Sequence, residues 1–315
     1  MHLYTDTRCL EHRVPNGHPE RPERLAAVLN HLKACGFIDD HPMLAPEQAK
    51  DVDIQRAHSL AHVKDITTFA TNDNLEADKT SMVPVDPDTW MSQHSLTAAR
   101  LAAGAVCNGI DDLISGRTQR VFCAVRPPGH HAERDAAMGF CLFNSIAIGA
   151  LKALASPTIE RVAILDFDVH HGNGTVDIFT DNPAVMVCSS FQHPHYPNRK
   201  FDVRRDHLIH TPLAAGTAGT EFRRQIEADW LPALERHAPE LILVSAGFDA
   251  HQRDPLAQLN LVEDDYAWIT DLIVSTANQY SEGRVISTLE GGYDLQALTQ
   301  SVETHLAHLA PAVSR

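Results

Sequence analysis

The chain has 315 residues, with 26 Lys and Arg against 41 Asp and Glu, giving a formal net charge of −15. That acidic balance, with no run of five basic residues, excludes a protein whose main work is neutralising nucleic-acid phosphates. At 43% hydrophobic and 21% charged, the composition is that of a globular protein with ample residues for a core.

The N-terminus, Met1-His2-Leu3-Tyr4-Thr5-Asp6, lacks a charged n-region and an apolar h-region. No signal peptide is expected there, and the expected location is the cytoplasm. A helix is predicted over Pro22–Cys35, with Leu25, Val28, Leu29 and Leu32 on one face and Gly36 as its stop. A second is predicted over Ser92–Ser115. Strands and helices then alternate: strand Arg120–Val125, helix Ile146–Ala155, strands Arg161–Phe167 and Ala184–Ser189, and helix Phe222–Arg236. Strand Glu240–Ser245, helix Asp264–Tyr280, strand Arg284–Leu289 and helix Leu295–Leu309 follow. The apolar runs are strand-sized, too short to span a membrane, so no membrane partner is expected. Cys9, Cys35, Cys107, Cys123, Cys141 and Cys188 share no Cys-x-x-Cys spacing and read as isolated thiols. No repeat or composition break divides residues 1–315, so one domain is expected.

Such alternation implies an α/β fold with a single open, mainly parallel sheet and helices on both faces. Ligands bind such sheets beyond the carboxyl ends of the strands. Four predicted strands run into polar or glycine-rich sequence there: Gly129-His130-His131, Asp168-Val169-His170-His171-Gly172, Gly247-Phe248-Asp249 and Glu290-Gly291-Gly292-Tyr293. These residues should converge on one rim.

Asp168 and His170 are two apart, so in extended chain both face one ion, and Asp249 offers a third ligand. An Asp-His-Asp set without thiolate, leaving a position open, suits a catalytic divalent metal better than a closed structural site. Alone, an Asp-x-His is more often an ordinary loop pair. Its neighbours change that reading. His130 and His131 follow a rigid Arg126-Pro-Pro-Gly129 turn, where one imidazole can take a proton from water and the other can stabilise charge. Asp166 and Asn173 can each accept from a histidine ring. Tyr293, on a flexible glycine turn, can donate to an oxyanion. His193 and His195, beside prolines, read as loop lining rather than a second metal site.

In this combination the chain resembles the histone deacetylase superfamily, in the group holding class II deacetylases, bacterial deacetylase-like amidohydrolases and acetylpolyamine amidohydrolases. The matching motifs are His18-Pro-Glu-Arg-Pro-Glu-Arg24, Arg126-Pro-Pro-Gly-His-His-Ala132, Gly139-Phe-Cys141, Asp166-Phe-Asp-Val-His-His-Gly-Asn-Gly-Thr175, Ser245-Ala-Gly-Phe-Asp249 and Glu290-Gly-Gly-Tyr-Asp294. They stand in family order across almost the whole chain. Asn173, where class I enzymes usually carry Asp, leans towards class II.

The resemblance implies the arginase–deacetylase fold and zinc-dependent hydrolysis of N-acylated primary amines, with N-ε-acyl-lysine as the first substrate class. Asp168, His170 and Asp249 would hold Zn2+, His131 would be the general base and then acid, and His130 its electrostatic partner on Asp166. Tyr293 would polarise the acyl carbonyl, and Gly139, Phe140 and Tyr196 would shape a narrow slot. A structural K+ would sit on Asp166, Asp168, His170, Ser189 and Ser190, and a second cation on the carbonyls of Phe179, Asn182 and Val185. The partner would be an acylated lysine-containing protein or peptide, or a small acetylated amine. Relatives selective for acetylpolyamines commonly carry glutamate where this chain has Leu256, which favours acyl-lysine. Acetylpolyamine hydrolysis, a two-metal ureohydrolase and a silent acyl-lysine binder are the rival readings. One Asp-x-His with one distant Asp fits a single ion better than two, and a pure binder needs neither His131 nor Tyr293. Two departures stand out: Asn198-Arg-Lys-Phe-Asp-Val-Arg-Arg205 replaces a longer glycine-rich loop, and no long insertion fixes an oligomeric state.

Overall fold

Apolar runs rich in Val, Ile and Leu, buried on both faces, assemble into one eight-stranded sheet in a computed structural model that describes residues 1–71 and 81–310. In chain order the strands are β1 (His2–Tyr4), β2 (Met43–Leu44), β3 (Met82–Pro84), β4 (Trp90–Ser92) and β5 (Arg120–Cys123). Then come β6 (Val162–Asp166), β7 (Val185–Gln192), β8 (Leu208–Leu213), β9 (Leu241–Ala246) and β10 (Val285–Leu289). The large sheet has the order β2-β1-β5-β10-β9-β6-β7-β8, with every pairing parallel. β3 and β4 form a separate antiparallel pair.

The five predicted strands are all present and lie side by side in the sheet's centre. β7 runs three residues past its predicted end at Ser189. β1, β2 and β8 are additions at the edges, where strands are short or carry alternating exposure.

Side-chain alternation shows that helices cover both faces. On β5, a Cβ added at Gly109 of the Ser95–Ile114 helix would meet Val121, whereas Phe122 packs edge-on against His305 of the Leu295–Leu309 helix. On β10, Ile286 faces the same Gly109, and Ser287 meets His305 Nε2 at 2.9 Å. One set of helices includes Ser95–Ile114 and Ser145–Leu154, and the other includes Glu263–Tyr280 and Leu295–Leu309. No helix among the described residues is long and apolar enough to cross a membrane.

In-register pairing sets the stage for the site. Asp166 pairs with both Ser189 and Ser245, and Leu289 pairs with Ala246. The chain therefore leaves β6, β9 and β10 at nearly one level, with β7 running on beside them, and their following loops share one rim.

Candidate active site

Asp168 and His170 follow β6, and Asp249 follows its neighbour β9. One ligand atom from each lies within 4.8 Å of the others. All three are buried, Asp249 completely. The chain at Asp168–His170 is a bend rather than the extended stretch expected from the i, i+2 spacing. The two side chains still meet because Asp168 Oδ1 accepts from the His170 N–H at 2.9 Å and lies 3.0 Å from its Nδ1. His170 Nδ1 also lies 3.2 Å from Asp249 Oδ2.

Several features make this a cradle for a cation. Asp249 Oδ2 is buried and satisfied by no hydrogen bond among the described residues. A Cβ at Gly291 would sit 2.0 Å from that same oxygen, and one at Gly247 would sit 2.1 Å from Asp168 Oδ2. Glycine is needed at both places for the backbone to close around the carboxylates. Burial alone would lower the His170 pKa, but the neighbouring Asp168 and Asp249 carboxylates overcome it and push it up to about 10. The pocket thus favours positive charge, and two carboxylates with one imidazole are suitable donors for a divalent ion.

The tandem histidines have separate partners. His130 Nδ1 lies 2.9 Å from Asp166 Oδ2, and His131 Nδ1 lies 2.7 Å from Asn173 Oδ1. Burial disfavours the charged form of both. At His130, Asp166 and Asp168 overcome that penalty and raise the pKa well above its ordinary value. At His131, burial is reinforced by the neighbouring His130 and His170, so its pKa falls well below the ordinary value. The surroundings therefore favour the charged form of His130 and the neutral form of His131.

Above these groups opens a cavity of about 210 Å³ lined by His131, Gly139, Phe140, His170, Tyr196 and Tyr293, with Asp88, His195 and Leu256 completing it. Gly139 takes φ +56°, and a Cβ there would meet the His131 ring at 2.4 Å. Phe140 and Tyr293 stand nearly perpendicular, with centroids 6.2 Å apart. In the glycine turn before Tyr293, the Gly291 N–H donates to Asp168 Oδ2 at 2.9 Å, and Gly292 takes φ +121°. Burial pushes the Tyr293 phenol well above its ordinary pKa, so it stays protonated and able to donate.

The residues implied for a first monovalent cation gather behind the rim. Ser189 Oγ accepts from the Gly172 N–H at 3.3 Å, and Ser190 Oγ donates to the Asp166 carbonyl at 3.5 Å. Phe179, Asn182 and Val185 meet at the end of the Asn173–Phe179 helix. There the Phe179 carbonyl accepts from the Asn182 N–H at 3.0 Å and lies 2.9 Å from His207 Nε2.

The sequence pattern of the histone deacetylase domain matches residues 18–309. The chain belongs to the histone deacetylase family. An uncharacterized protein of Synechocystis sp. is 39% identical over 93% of this chain and 94% of its own length. The histone deacetylase-like amidohydrolase of Pseudomonas aeruginosa is 32% identical over 88% of this chain and 73% of its own. The crystal structure of the HDA15 HD domain superposes with a TM-score of 0.88 at 30% identity, covering 98% of this chain and 90% of that one. Some relatives are far longer: the chain spans 20% and 28% of two Dictyostelium discoideum type-2 histone deacetylases. As a family hydrolase, this deacetylase-type chain has the arginase–deacetylase fold.

The same rim contains residues the sequence did not single out. Glu290 lies beneath the histidine loop, its Oε2 accepting from the N–H of Gly129 at 2.6 Å and of His130 at 3.2 Å. Buried Glu20 takes a forked pair of bonds from Arg126, at 2.8 and 2.7 Å, and a third from Arg24 at 3.1 Å. Asp254 Oδ1 accepts from the Leu256 N–H and Oδ2 from the Tyr293 N–H, at 2.9 and 2.7 Å, tying two walls of the slot together. His195, read as loop lining, stacks on His170 with centroids 5.2 Å apart. Lone charged residues carry no periodic signal, so motif membership alone pointed to Glu20, Arg24 and Glu290.

Proposed function

We propose that this chain, acting as one domain, is a zinc-dependent amidohydrolase that removes acyl groups from primary amines, with N-ε-acetyl-lysine side chains as its principal substrates. The observation that carries the reading is the Asp168–His170–Asp249 group at the floor of a narrow, mostly apolar slot, with a neutral imidazole and a phenol on its walls. Zinc on those three residues would lower the pKa of a water and polarise the acyl carbonyl.

The remaining chemistry belongs to the chain. His131 Nε2 takes the proton from the attacking water, because Nδ1 is committed to Asn173 and the ring is neutral. His130, kept charged by Asp166, offsets the negative charge that develops nearby. Tyr293 donates to the carbonyl oxygen as it becomes an oxyanion. His131 then returns its proton to the departing amine. Phe140 and Tyr196 hold the aliphatic stem between their rings. A monovalent ion on the Asp166 and Ser189 side chains and the carbonyls of Asp168, His170 and Ser190 would brace the floor. The weaker cation position at Phe179, Asn182 and Val185 would brace the helix end.

Leu256 lines the slot and offers an apolar contact to a lysine stem. One feature favours a second reading, a small acetylated polyamine: Asp88, a carboxylate lining the same cavity, can meet a remote ammonium. The deciding experiment is a panel of acetyl-lysine peptides, longer acyl-lysines and acetylated polyamines, assayed with and without a chelator. Chelator-sensitive turnover that is fastest on acetyl-lysine peptides supports the reading. Fastest turnover on acetylpolyamines would replace it with the second.

A further inference from the structure

Tyr196 walls the slot, and the chain leaving it folds back over the loop that carries His131 and Glu133. Asn198 and Lys200, on either side of Arg199, hold φ +52° and +64°. Residues with side chains persist in this region only where their surroundings enforce it. Two ion pairs tie this stretch to the rest of the chain. Lys200 Nζ donates to Asp177 Oδ1 at 2.7 Å, and Arg199 Nη2 donates to Glu133 Oε2 at 2.9 Å.

The two pairs have different consequences. Asp177 leads only to the backbone, accepting from the Arg134 N–H at 3.0 Å. The Glu133 carboxylate is buried, and its other oxygen accepts from Asn173 Nδ2 at 2.8 Å. That same Nδ2 reaches the His131 carbonyl at 3.3 Å and Met138 Sδ at 3.2 Å. Asn173 Oδ1 is therefore the end that faces His131 Nδ1, at 2.7 Å.

This chain of contacts has a fixed polarity. A carboxylate accepting at both oxygens can meet only the donor end of an amide. With Nδ2 claimed by Glu133, the oxygen of Asn173 must accept, so the His131 proton resides on Nδ1 and the lone pair on Nε2. An amide turned end for end would place a donor against Nδ1 and drive the proton to Nε2, leaving no base facing the slot. Arg199 supplies the countercharge without which a buried carboxylate is unstable in this place.

We propose that Arg199 and Glu133 are positioning residues that set the tautomer of His131 through Asn173. The inference rests on the reading of His131 as the base. It gives Arg199 alone, of the Asn198–Arg205 segment, a part in positioning the proton-transfer machinery, through Glu133 and Asn173.

The test compares Arg199→Ala, Arg199→Lys, Lys200→Ala, Glu133→Gln and the Arg199→Ala/Glu133→Gln double variant in the full chain. Zinc-loaded protein is assayed on an acetyl-lysine peptide, and the histidine ring nitrogens of metal-free protein are read by 15N NMR, with His131→Ala assigning the signal. Arg199→Ala should lower kcat about tenfold or more, with KM little changed. Arg199→Lys should recover part of the loss, while Lys200→Ala, which loosens the same loop, should keep kcat near wild type. In the Glu133→Gln background, removing Arg199 should cost nothing further, because the two act in series. The Nδ1-protonated signal of His131 should dominate in wild type and give way to the Nε2 form in Glu133→Gln.

A wild-type kcat in Arg199→Ala, or an equal loss in both backgrounds, would overturn the proposal while His131→Ala remains inactive. An active His131→Ala would remove the underlying reading, and this proposal with it. An unchanged Nδ1 signal in Glu133→Gln would contradict the tautomer argument without recourse to activity.

Discussion

The guanidinium of Arg24 lies 4.8 Å from the centre of the Tyr293 ring, while its Nε and Nη2 donate to the carbonyls of Gly292 and Glu290, each at 2.6 Å. The base of the glycine turn is thus held by a fully buried cation that Glu20 neutralises. Tyr293→Phe should cut kcat by about 10²–10³ while zinc stays bound, the usual cost of losing one oxyanion donor. Arg24→Lys keeps the charge but loses the planar fork, so it should lower kcat by a smaller factor. Steady-state kinetics with metal analysis checks both, and a near-normal kcat in Tyr293→Phe would leave the phenol as pocket lining.

His131→Ala should lower the rate more than His130→Ala. The geometry separates the two rings: His131 meets an amide and His130 a carboxylate, which favours the charged form of His130. Single-turnover rates of the two variants at equal zinc content provide the comparison. The reverse order would exchange their roles.

Leu256→Glu should shift preference towards acetylspermidine, because a carboxylate in the slot can meet its remote ammonium. The kcat/KM ratio of acetyl-lysine peptide over acetylspermidine should exceed one in wild type and fall in the variant. Moderate salt should be used, since the acidic surface attracts polyamines at long range. A wild-type ratio well below one would contradict the substrate assignment.

Acid should destabilise this fold from about neutral pH downwards. Burial, with help from His62, holds His58 down at about 3, and burial with His308 does the same for His305. The unfolded chain takes up protons on these rings below about 6.5, whereas the native protein resists until about 3. Their contribution is therefore present above pH 6.5 and erodes as pH falls towards 3. Glu20 adds to the loss at lower pH. Burial would raise its carboxyl, but Arg126 and Arg24 prevail and hold it at about 2, so its stabilisation is present above about 4.5 and lost as pH falls towards 2. The urea midpoint should be lower at about pH 5 than at about pH 7.5, and the difference should shrink in His58→Gln, which can still bond Glu133 O and Asn144 N. Equal midpoints at the two pH values would contradict the argument.

The sequence revealed the central strands because each is a compact apolar run ending in special residues, and the gathering of the candidate-site residues because they recur at strand ends. β1 and β2 escaped notice because three- and two-residue strands carry too few side chains for a period. β8 alternates buried and exposed positions and lies at an edge. Asp254, Glu133 and Arg199 were hidden for a different reason. Each acts through hydrogen bonds to residues distant in sequence, and nothing local marks a buried carboxylate. The bend at Asp168–His170 shows the limit of spacing arguments: two residues apart predicted convergence correctly, but the convergence comes from a hydrogen bond rather than an extended strand.

Metal content and turnover in Asp249→Ala, measured beside wild type, test the central claim most directly. Asp249 supplies a buried oxygen with no hydrogen-bond partner among the described residues and follows a different strand from Asp168 and His170. The account predicts about one zinc per wild-type chain, acetyl-lysine hydrolysis that a chelator abolishes, and loss of both zinc and activity in the variant. Stoichiometric zinc with full turnover in Asp249→Ala would contradict it.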